Sequence, residues 1–270
     1  MIQNNNTSVL PFYTSLDEQN HRRSYAYGEI YALYTPTVQI PPFQIIGASL
    51  GSVTQITLCK PDGSLVRDLT ANMTVKKFSE TGYDVLVYAG LSTIAAVDEG
   101  QYYLILTAGT QTFYSDVFTT VNIISPYLMI EWWDDDDMLC DGWGIIYDYQ
   151  DAQGNNDAIK FKNRLYLNTQ LGKPDYVFEE EGQQRDGYFF PEKQISEKSY
   201  KCTILAPEYL CDVMRFIRMS DHIRIVDGYG REYLPDTFLI TPKWEVQGDL
   251  ASVEIEFQTA TVAKKIGRGI

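Results

Sequence analysis

The last quarter of the chain decides the fold, and it begins with YKCTILAPEYLCDVMRFIRM, residues 200–219. Residues 201–205 are predicted as a strand, and Pro207 suits the first turn of a helix, where its missing N–H costs nothing. Apolar residues then recur with the spacing i, i+3, i+4 and i+7, at Leu210, Val213, Met214 and Ile217. This spacing predicts a short amphipathic helix that packs on a sheet.

The strands predicted after this helix are residues 223–226, 232–234, 238–241 and 251–257. Between the first two lies Asp227-Gly228-Tyr229-Gly230, a sequence typical of a hairpin turn. In the last strand Val253, Ile255 and Phe257 share one face, because side chains alternate along a strand. We expect that face to lie on a core and the other face to meet solvent or a partner.

The first half of the chain predicts a series of short strands separated by turn residues. The predicted strands are residues 25–34, 43–46, 53–58, 73–78, 84–88, 101–107 and 112–121. Strands of this length and spacing favour a β-sandwich. The protein as a whole is therefore predicted to be mainly β.

One local motif narrows the class of sandwich. Asp98-Glu99-Gly100-Gln101-Tyr102 fits the D-x-G-x-Y pattern found before strand F of immunoglobulin-like domains, where the tyrosine hydroxyl bonds back to the backbone. Leu104 occupies the position at which an antibody domain has its second cysteine. This half resembles the immunoglobulin or fibronectin type III class without the disulfide.

Length and charge predict two domains with an arm at each end, and the N-terminal arm is expected to be either disordered or ordered by a neighbour. A chain of 270 residues is longer than most single domains, and Pro126 interrupts strand pairing where the acidic balance increases. We therefore predict an N-terminal arm at 1–23, an Ig-like β-sandwich at 24–125, a β-rich α+β domain with one helix packed on a sheet or barrel at 126–260, and a basic tail at 261–270.

The net charge of −14 limits the classes of partner. Residues 1–125 have six basic and ten acidic side chains, and residues 126–270 have sixteen and twenty-six, which gives −4 and −10. Such surfaces repel phosphate backbones, so no nucleic-acid partner is expected. Lys264, Lys265 and Arg268 are the exception, and they predict either a solvated end or a contact with an acidic neighbouring subunit.

The cysteines and the N-terminus indicate folding in a reducing compartment. Cys59, Cys140, Cys202 and Cys211 are far apart and form no CxxC pair, so buried free thiols are expected. The first residues have no basic and apolar pattern of a signal peptide, and no run of eighteen apolar residues occurs. We expect folding in a host cytoplasm, without membrane insertion.

The run from Asp134 to Asp137, followed by Asp141, is the most concentrated charge in the chain. Clustered carboxylates can bind calcium, but Leu139 would occupy the third position of an EF-hand loop that starts at Asp137. Adjacent side chains in an extended segment also point to opposite faces. A solvated acidic turn is the preferred interpretation, with a cation site and a partner contact as the alternatives.

No catalytic constellation is visible. A glycoside hydrolase needs two carboxylates that flank the scissile bond, and no pair can be selected among the many acidic residues. His222 is interpreted as a packing or hydrogen-bonding residue. We therefore expect no enzyme activity, no catalytic residues, no cofactor and no metal site. The tryptophans that could serve as sugar platforms, and so suggest a glycan contact, are Trp132, Trp133, Trp143 and Trp244.

Residues 179–187, which include Glu179-Glu180-Glu181, are predicted as a long exposed loop. Tyr188-Phe189-Phe190-Pro191 follows it and has two interpretations. The aromatic residues are either an exposed patch at a subunit interface, where aromatic side chains are enriched, or the buried start of a strand.

The order of elements in residues 200–257 resembles a family of bacteriophage structural proteins. The strand, the helix after Pro207, the hairpin 226–234 and the closing strand 252–257 are similar to the ring-forming module of distal-tail and tail-tube proteins. The sequences of residues 165–167 and 188–193 also resemble those of structural proteins of phages and prophages of gut Bacteroidetes. In distal-tail proteins the ring module usually comes first, whereas here the Ig-like domain precedes it.

The resemblance implies a non-enzymatic virion subunit, in a tail or baseplate, that assembles into a ring with copies of itself and with other virion or tail proteins. A ring needs two different complementary patches on each subunit. The alternatives are a carbohydrate- or host-surface-binding β-sandwich module and, third, a glycoside hydrolase.

Overall fold

The computed structural model describes residues 2–3, 8–25, 33–80, 82–90, 93–122, 127–133, 161–244 and 250–265. Within these ranges the protein is mainly β with two helices, so the predicted main class is confirmed. Several residues that were considered above lie outside the described ranges: Pro126, Asp134 to Asp137, Cys140, Asp141, Trp143 and Arg268.

The first half of the chain consists of short strands with one helix. They are β1 (Ile2–Gln3), β2 (Phe12–Tyr13), α1 (Leu16–Tyr25), β3 (Leu33–Pro36), β4 (Phe43–Gly47), β5 (Val53–Cys59), β6 (Leu65–Asp68), β7 (Lys76–Glu80), β8 (Tyr83–Tyr88), β9 (Gly100–Ala108), β10 (Gln111–Ser115) and β11 (Phe118–Val121). The strand predicted at 25–34 is wrong at its start, because Tyr25 ends a helix. The strand predicted at 112–121 is two strands, interrupted at Asp116 and Val117.

These strands pair in two groups. β1, β4, β8 and β7 form a four-stranded sheet in that order. In the second group β9 pairs with β5 on one side and with β10 and then β11 on the other, and β11 continues to β3 in parallel. Phe43 and Tyr88 of the first sheet belong to the same buried cluster as Leu104 and Leu106 of β9.

The motif before β9 forms the bond predicted for it. The hydroxyl of Tyr102 donates to the backbone oxygen of Asp98 over 3.0 Å. Thr120 Oγ1 donates to the same oxygen over 2.7 Å. Burial, and secondarily the charge of Asp98, raise the pKa of Tyr102. The tyrosine therefore remains a hydrogen-bond donor at physiological pH, and the predicted bond is confirmed.

The N-terminal segment does not behave as an arm outside the core. Val9 and Leu10 are fully buried, and β2 pairs with β10. The ring of Phe12 lies 4.7 Å from that of Phe43, between centroids. The expectation of an arm is wrong for these residues, because their apolar side chains complete the core of their own chain.

The second half has longer strands. They are β12 (Tyr127–Trp133), β13 (Asn163–Asn168), β14 (Asp175–Arg185), β15 (Tyr188–Pro207), α2 (Glu208–Ile217), β16 (His222–Val226), β17 (Glu232–Tyr233), β18 (Pro235–Lys243) and β19 (Leu250–Lys265). β13, β12, β16 and β17 are neighbours in one sheet, and β14, β15, β19 and β18 form a second, fully antiparallel sheet.

The helix α2 confirms the prediction from its apolar spacing. Pro207 is its N-cap residue, with a φ of −73° and extended backbone geometry. Leu210, Val213, Met214 and Ile217 are all buried in the main core cluster. The helix and the sheet that contains β16 cover the inner face of the long-stranded sheet, which explains why Val253, Ile255 and Phe257 are buried there.

Two segments predicted to be irregular are strands. Residues 179–185 belong to β14, so the predicted loop is wrong up to Arg185. Residues 262–265, assigned above to a basic tail, pair with residues 193–196 of β15 as the end of β19. Cross-strand pairing rather than burial gives both segments their extended conformation.

A single sheet connects the two halves. β11 and β12, on either side of the boundary predicted at Pro126, belong to one 11-stranded sheet in which Tyr166 of β13 pairs with Tyr34 of β3. Arg164 Nη2 contacts Glu131 Oε1 at 2.6 Å, and Tyr166 Oη donates to Gln39 Oε1 over 3.1 Å. The main buried cluster likewise contains residues of both halves.

Candidate interaction surface

The inner face of the long-stranded sheet continues beyond the core that covers it. Tyr200 on β15 and Phe257 on β19 are register partners, and their rings stack with centroids 5.4 Å apart. Both are buried. Lys198 lies two residues further along β15 and therefore on the same face. Residues 193–198 of β15 are only partly buried, and Tyr188 and Phe189 near the hairpin tip are exposed.

We call the uncovered part of this sheet the sheet extension. It comprises residues 175–185 of β14, 188–198 of β15 and 260–265 of β19. At about 3.4 Å per residue, β14 makes it roughly 35 Å long. Beyond Thr259, the last partner of β18, the described strands that remain in this sheet are these three.

An exposed apolar row crosses the inner face of the sheet extension. Phe178 of β14, Ser196 of β15 and Val262 of β19 are register partners, so their side chains lie side by side. Phe178 is 72% exposed and Val262 68% exposed, and Ser196 between them is small. Tyr176 continues the row toward the core and is also exposed. An apolar row of this kind on a sheet face is typical of a contact surface.

The two long edges of the sheet extension have opposite charge. β14 is one edge, and it contains Glu179, Glu180 and Glu181. The other edge is the end of β19, with Lys264 and Lys265 opposite Gln194 and Lys193 of β15. An exposed strand edge offers unpaired backbone N–H and C=O groups to another strand. The two edges therefore offer complementary backbone groups, and the sequence places acidic residues in one edge strand and basic residues in the other.

The third described edge of this sheet, β18, has features that discourage pairing. Pro235 starts the strand and Pro242 lies near its end. Proline has no N–H to donate and is a common device for blocking a sheet edge. β14 contains no proline between residues 175 and 185. Among the described edges of this sheet, β14 is therefore better suited to pairing than β18.

A two-residue turn closes the hairpin of β14 and β15. Arg185 and Tyr188 are the last register pair, and Asp186 and Gly187 have positive φ angles of 51° and 81°. Asp-Gly is the residue pair that favours this turn, because both central residues must have positive φ. The Asp186-Gly187 signal was available in the sequence and was missed, because the acidic residues before it indicated a loop.

Next to the core end of the sheet extension lies the turn between β16 and β17. Asp227 in this turn is buried and accepts hydrogen bonds from the backbone N–H groups of Tyr229 and Arg231, both at 2.9 Å. Arg231 Nε donates to Asp227 Oδ2 over 2.6 Å, and Tyr233 Oη donates to the same atom over 3.2 Å. Gly230 provides the left-handed conformation, with a φ of 77°.

These contacts determine the ionisation of the turn. Burial acts to raise the pKa of Asp227, but the hydrogen bonds from Arg231, Tyr229 and Tyr233 outweigh it and hold the pKa below its usual value. Burial first, and the charge of Asp227 second, raise the pKa of Tyr233 to about 12. The carboxylate is therefore charged at neutral pH, and its partners keep their protons.

A second polar network lies between the strands of the other sheet. Glu131 is buried and contacts both Arg164, at 2.6 Å, and Arg224, at 3.4 Å. Arg224 also pairs with Glu232 on β17. Two arginines around one buried carboxylate satisfy its hydrogen-bonding capacity, which indicates a structural role.

The carboxyl groups with clear pKa shifts do not suit general acid catalysis. The shifts resolved in the described part of the chain, at Asp62, Asp68, Asp84, Asp227 and Glu232, all lower the pKa. A glycosidase acid needs a raised pKa. None of these five groups is therefore suited to protonate a leaving group near neutral pH.

Two of the predicted sugar platforms are occupied by the protein itself. Trp132 is buried, so its predicted exposure to sugar is wrong. Trp133 stacks on His222 with ring centroids 5.1 Å apart, and Lys162 Nζ lies 3.8 Å from its ring centroid. This contact agrees with the packing role expected for His222. Trp244 is half exposed and remains available.

The described cysteines are isolated thiols. Cys59, Cys202 and Cys211 are buried and free, as predicted, and burial raises the pKa of Cys202 to about 12. In the part of the chain that the structure describes, no group of three or more His, Cys, Asp or Glu side chains has the geometry of a metal site. Neither described helix has the length and hydropathy of a membrane span.

The chain was compared with protein-family models and with curated proteins. No protein-family model matches the chain. No curated protein matches it either.

Proposed function

We propose that this protein is a non-enzymatic structural subunit that assembles with copies of itself into a ring, in a virion tail or baseplate. The observation that supports the proposal most directly is the sheet extension, which leaves the protein's own core and exposes an apolar row between an acidic and a basic edge. A chain that places about 35 Å of paired strand outside its core needs a partner to bury it.

The geometry of the sheet extension favours a repeating assembly. The acidic edge of β14 and the basic edge of β19 are different surfaces that suit each other, as a heterologous interface requires. Each copy would donate one edge and accept the other, and rotation would close the ring. The resemblance of residues 200–257 to distal-tail and tail-tube modules supports the virion as the place where this occurs.

We also propose that the first half is an Ig-like sandwich that serves as an accessory domain. Its strand order β1-β4-β8-β7 opposite β3-β11-β9-β5 supports this interpretation, as does the bond from Tyr102 to Asp98. Its position before the ring module differs from the usual order in distal-tail proteins. The domain order therefore does not identify the tail component, and the structure of the assembly would identify it.

Self-association of the purified full-length chain tests the proposal. Sedimentation velocity over a range of concentrations should show oligomers that weaken as salt rises, because opposite charges lie on the two edges. The double substitution Phe178→Ser and Val262→Ser should weaken association about tenfold or more, since it removes the apolar row.

Leu205→Ser is the matched control. Leu205 is 57% exposed on β15, but it lies on the outer face of the same sheet, because it alternates with the buried Ile204 and Ala206. This control should assemble as the unaltered protein does. A strict monomer at all concentrations, and also in the presence of other tail proteins, would contradict the ring.

A further inference from the structure

A second exposed surface lies where the sheet extension meets the turn between β16 and β17. We call it the aromatic corner and define it by Tyr176, Lys198, Tyr229 and Arg231. Lys198 Nζ lies 5.8 Å from the ring centroid of Tyr176, and the guanidinium carbon of Arg231 lies 5.5 Å from that of Tyr229. Tyr229 is 76% exposed, and Arg231 is also largely exposed.

The buried ring of Tyr200 and the partly buried ring of Tyr233 connect the two sides of this corner. Lys198 Nζ lies 5.0 Å from the ring centroid of Tyr200, which meets the ring of Tyr233 edge-on with centroids 4.9 Å apart. Tyr233 in turn bonds to Asp227, which binds Arg231. The corner is therefore positioned by the core of the protein, and a ligand that binds there meets a preorganised surface.

The charge of the corner is opposite to that of the protein. The chain has a net charge of −14, yet two cations lie beside the exposed tyrosines. Asp227 is the acidic group of the turn, and it is buried and engaged in four hydrogen bonds. Among the described residues, no carboxylate lies within ion-pair distance of Lys198; its neighbours are the Tyr176 and Tyr200 rings.

The corner thus offers a cation without a carboxylate beside apolar and aromatic surface. A carboxylate placed at Lys198 would form a charge-assisted hydrogen bond, and an apolar side chain next to it would cover Tyr176. Exposed tyrosine next to arginine is a composition typical of the residues that dominate binding energy at protein interfaces. Both features select the same kind of ligand, an extended segment with alternating acidic and apolar side chains.

We propose that the aromatic corner binds an acidic, apolar segment of a partner protein different from this chain. The surface that supports self-assembly above consists of the two strand edges and the row of Phe178 and Val262, whereas the corner lies at the core end of the same face, beside the turn between β16 and β17. Association through the edges and that row leaves Tyr229 and Arg231 open at the turn. The corner can therefore bind a partner whether or not the ring forms.

Fluorescence anisotropy with the full-length protein tests this inference. The probes are three labelled peptides that alternate phenylalanine with glutamate, with glutamine or with lysine. The glutamate peptide should bind about tenfold more tightly than the glutamine peptide, because the charged acceptor strengthens the bond to Lys198. The lysine peptide should not bind, and salt should weaken the binding of the glutamate peptide.

Substitutions locate the binding. Lys198→Gln should weaken binding of the glutamate peptide about tenfold. The matched control Lys201→Gln lies on the outer face of the same strand, paired with Glu256 at 3.3 Å, and should bind as the unaltered protein does. Both variants should retain the unaltered thermal midpoint within a few degrees, since surface substitutions change stability by about 0.5 kcal/mol or less.

Other outcomes overturn the inference. Equal binding of all three peptides would show non-specific apolar contact, and equal losses in the two lysine variants would show a general charge effect. If Lys198→Gln weakens sedimentation of the oligomer and leaves peptide binding unchanged, the corner contacts a second copy and not a different protein. A monomer that still binds the glutamate peptide would refute the ring and leave the corner intact.

Discussion

The inner face of β15 is buried along one part of the strand and uncovered along the other. Tyr200, Cys202 and Ile204 on its inner face are buried, and their neighbours Phe257 and Ile255 on β19 are fully buried. Ser196 and Lys198 on the same face are not buried. The pairing of β15 with β19 has a register shift between Ser196 and Lys198, but β15 remains extended on both sides of it. The difference in burial comes from what covers the sheet: α2 and the second sheet cover one part, and no described element of the chain covers the other.

The covered and uncovered parts of the sheet are expected to contribute differently, one to the stability of the monomer and the other to association. Apolar side chains over the core stabilise the folded monomer, whereas those on the sheet extension remain in water until a partner removes them from it. Five substitutions, in order of decreasing effect on the free energy of unfolding, test the contributions to stability.

The largest effect is expected from Phe257→Ala. Phe257 is fully buried between Tyr200 and Tyr233, so its loss should lower the free energy of unfolding by about 3–5 kcal/mol. Urea unfolding followed by tryptophan fluorescence measures the change. Phe178→Ala on the sheet extension is the matched control and should change stability by about 0.5 kcal/mol or less. Similar losses in both variants would contradict the division.

Arg164→Met tests the polar network around the buried Glu131. The substitution removes one of the two arginines from the buried carboxylate of Glu131, and it should cost about 3 kcal/mol. The double variant Arg164→Met with Glu131→Leu should recover much of this loss, because no uncompensated charge remains buried. If the double variant is as unstable as the single one, packing rather than charge explains the effect.

Asp227→Asn tests the turn next to the sheet extension through pH. The folded pKa of Asp227 is lowered, so its contribution to stability is complete above the unfolded value of about 3.9 and is lost as pH falls toward the folded pKa. Urea midpoints should therefore fall less steeply below about pH 4 in Asp227→Asn than in the unaltered protein.

Arg231→Met should show an intermediate slope in the same measurement. It removes the Nε donor to Asp227 but leaves the bonds from the backbone of Tyr229 and from Tyr233. Identical slopes in all three proteins would mean that Asp227 does not contribute to the acid sensitivity.

The smallest global effect is expected from Gly187→Val at the hairpin tip. A β-carbon at Gly187 meets no atom within 4 Å, so the cost arises from its φ of 81° and should be about 1–2 kcal/mol, confined to the hairpin. Hydrogen exchange should show faster opening of the β14 amides, with an unchanged midpoint of global unfolding. Asp186→Asn is the control, because asparagine tolerates the left-handed conformation.

Some predictions succeeded because their signals are local. The spacing of Leu210, Val213, Met214 and Ile217 reports one face of a helix, and the motif before Tyr102 reports a bond over four residues. Other predictions failed because the deciding partner is distant in the sequence. Glu179 to Glu181 resemble a loop until Lys193 to Ile195 pair with them, and Val9 and Leu10 resemble an arm until the core buries them.

For the candidate surface, the sequence indicated aromatic residues at 188–191 and basic residues near the C-terminus, with the possibility of an interface. It did not indicate that Val262 lies across Ser196 from Phe178, because these three residues belong to strands separated by up to 84 positions in the numbering. No periodicity within a single strand contains that information.

The sequence by itself determined the mainly β class, the helix after Pro207, most strand positions and the turns at Asp227 and before Tyr102. These features depend on side-chain period and on backbone preferences of a few residues, which act over short distances. The tertiary structure alone decided that one sheet joins both halves and that the inner face of β15 continues past its cover. Both depend on strand pairing between distant segments, where hydrogen bonding and burial of the whole chain select the partner.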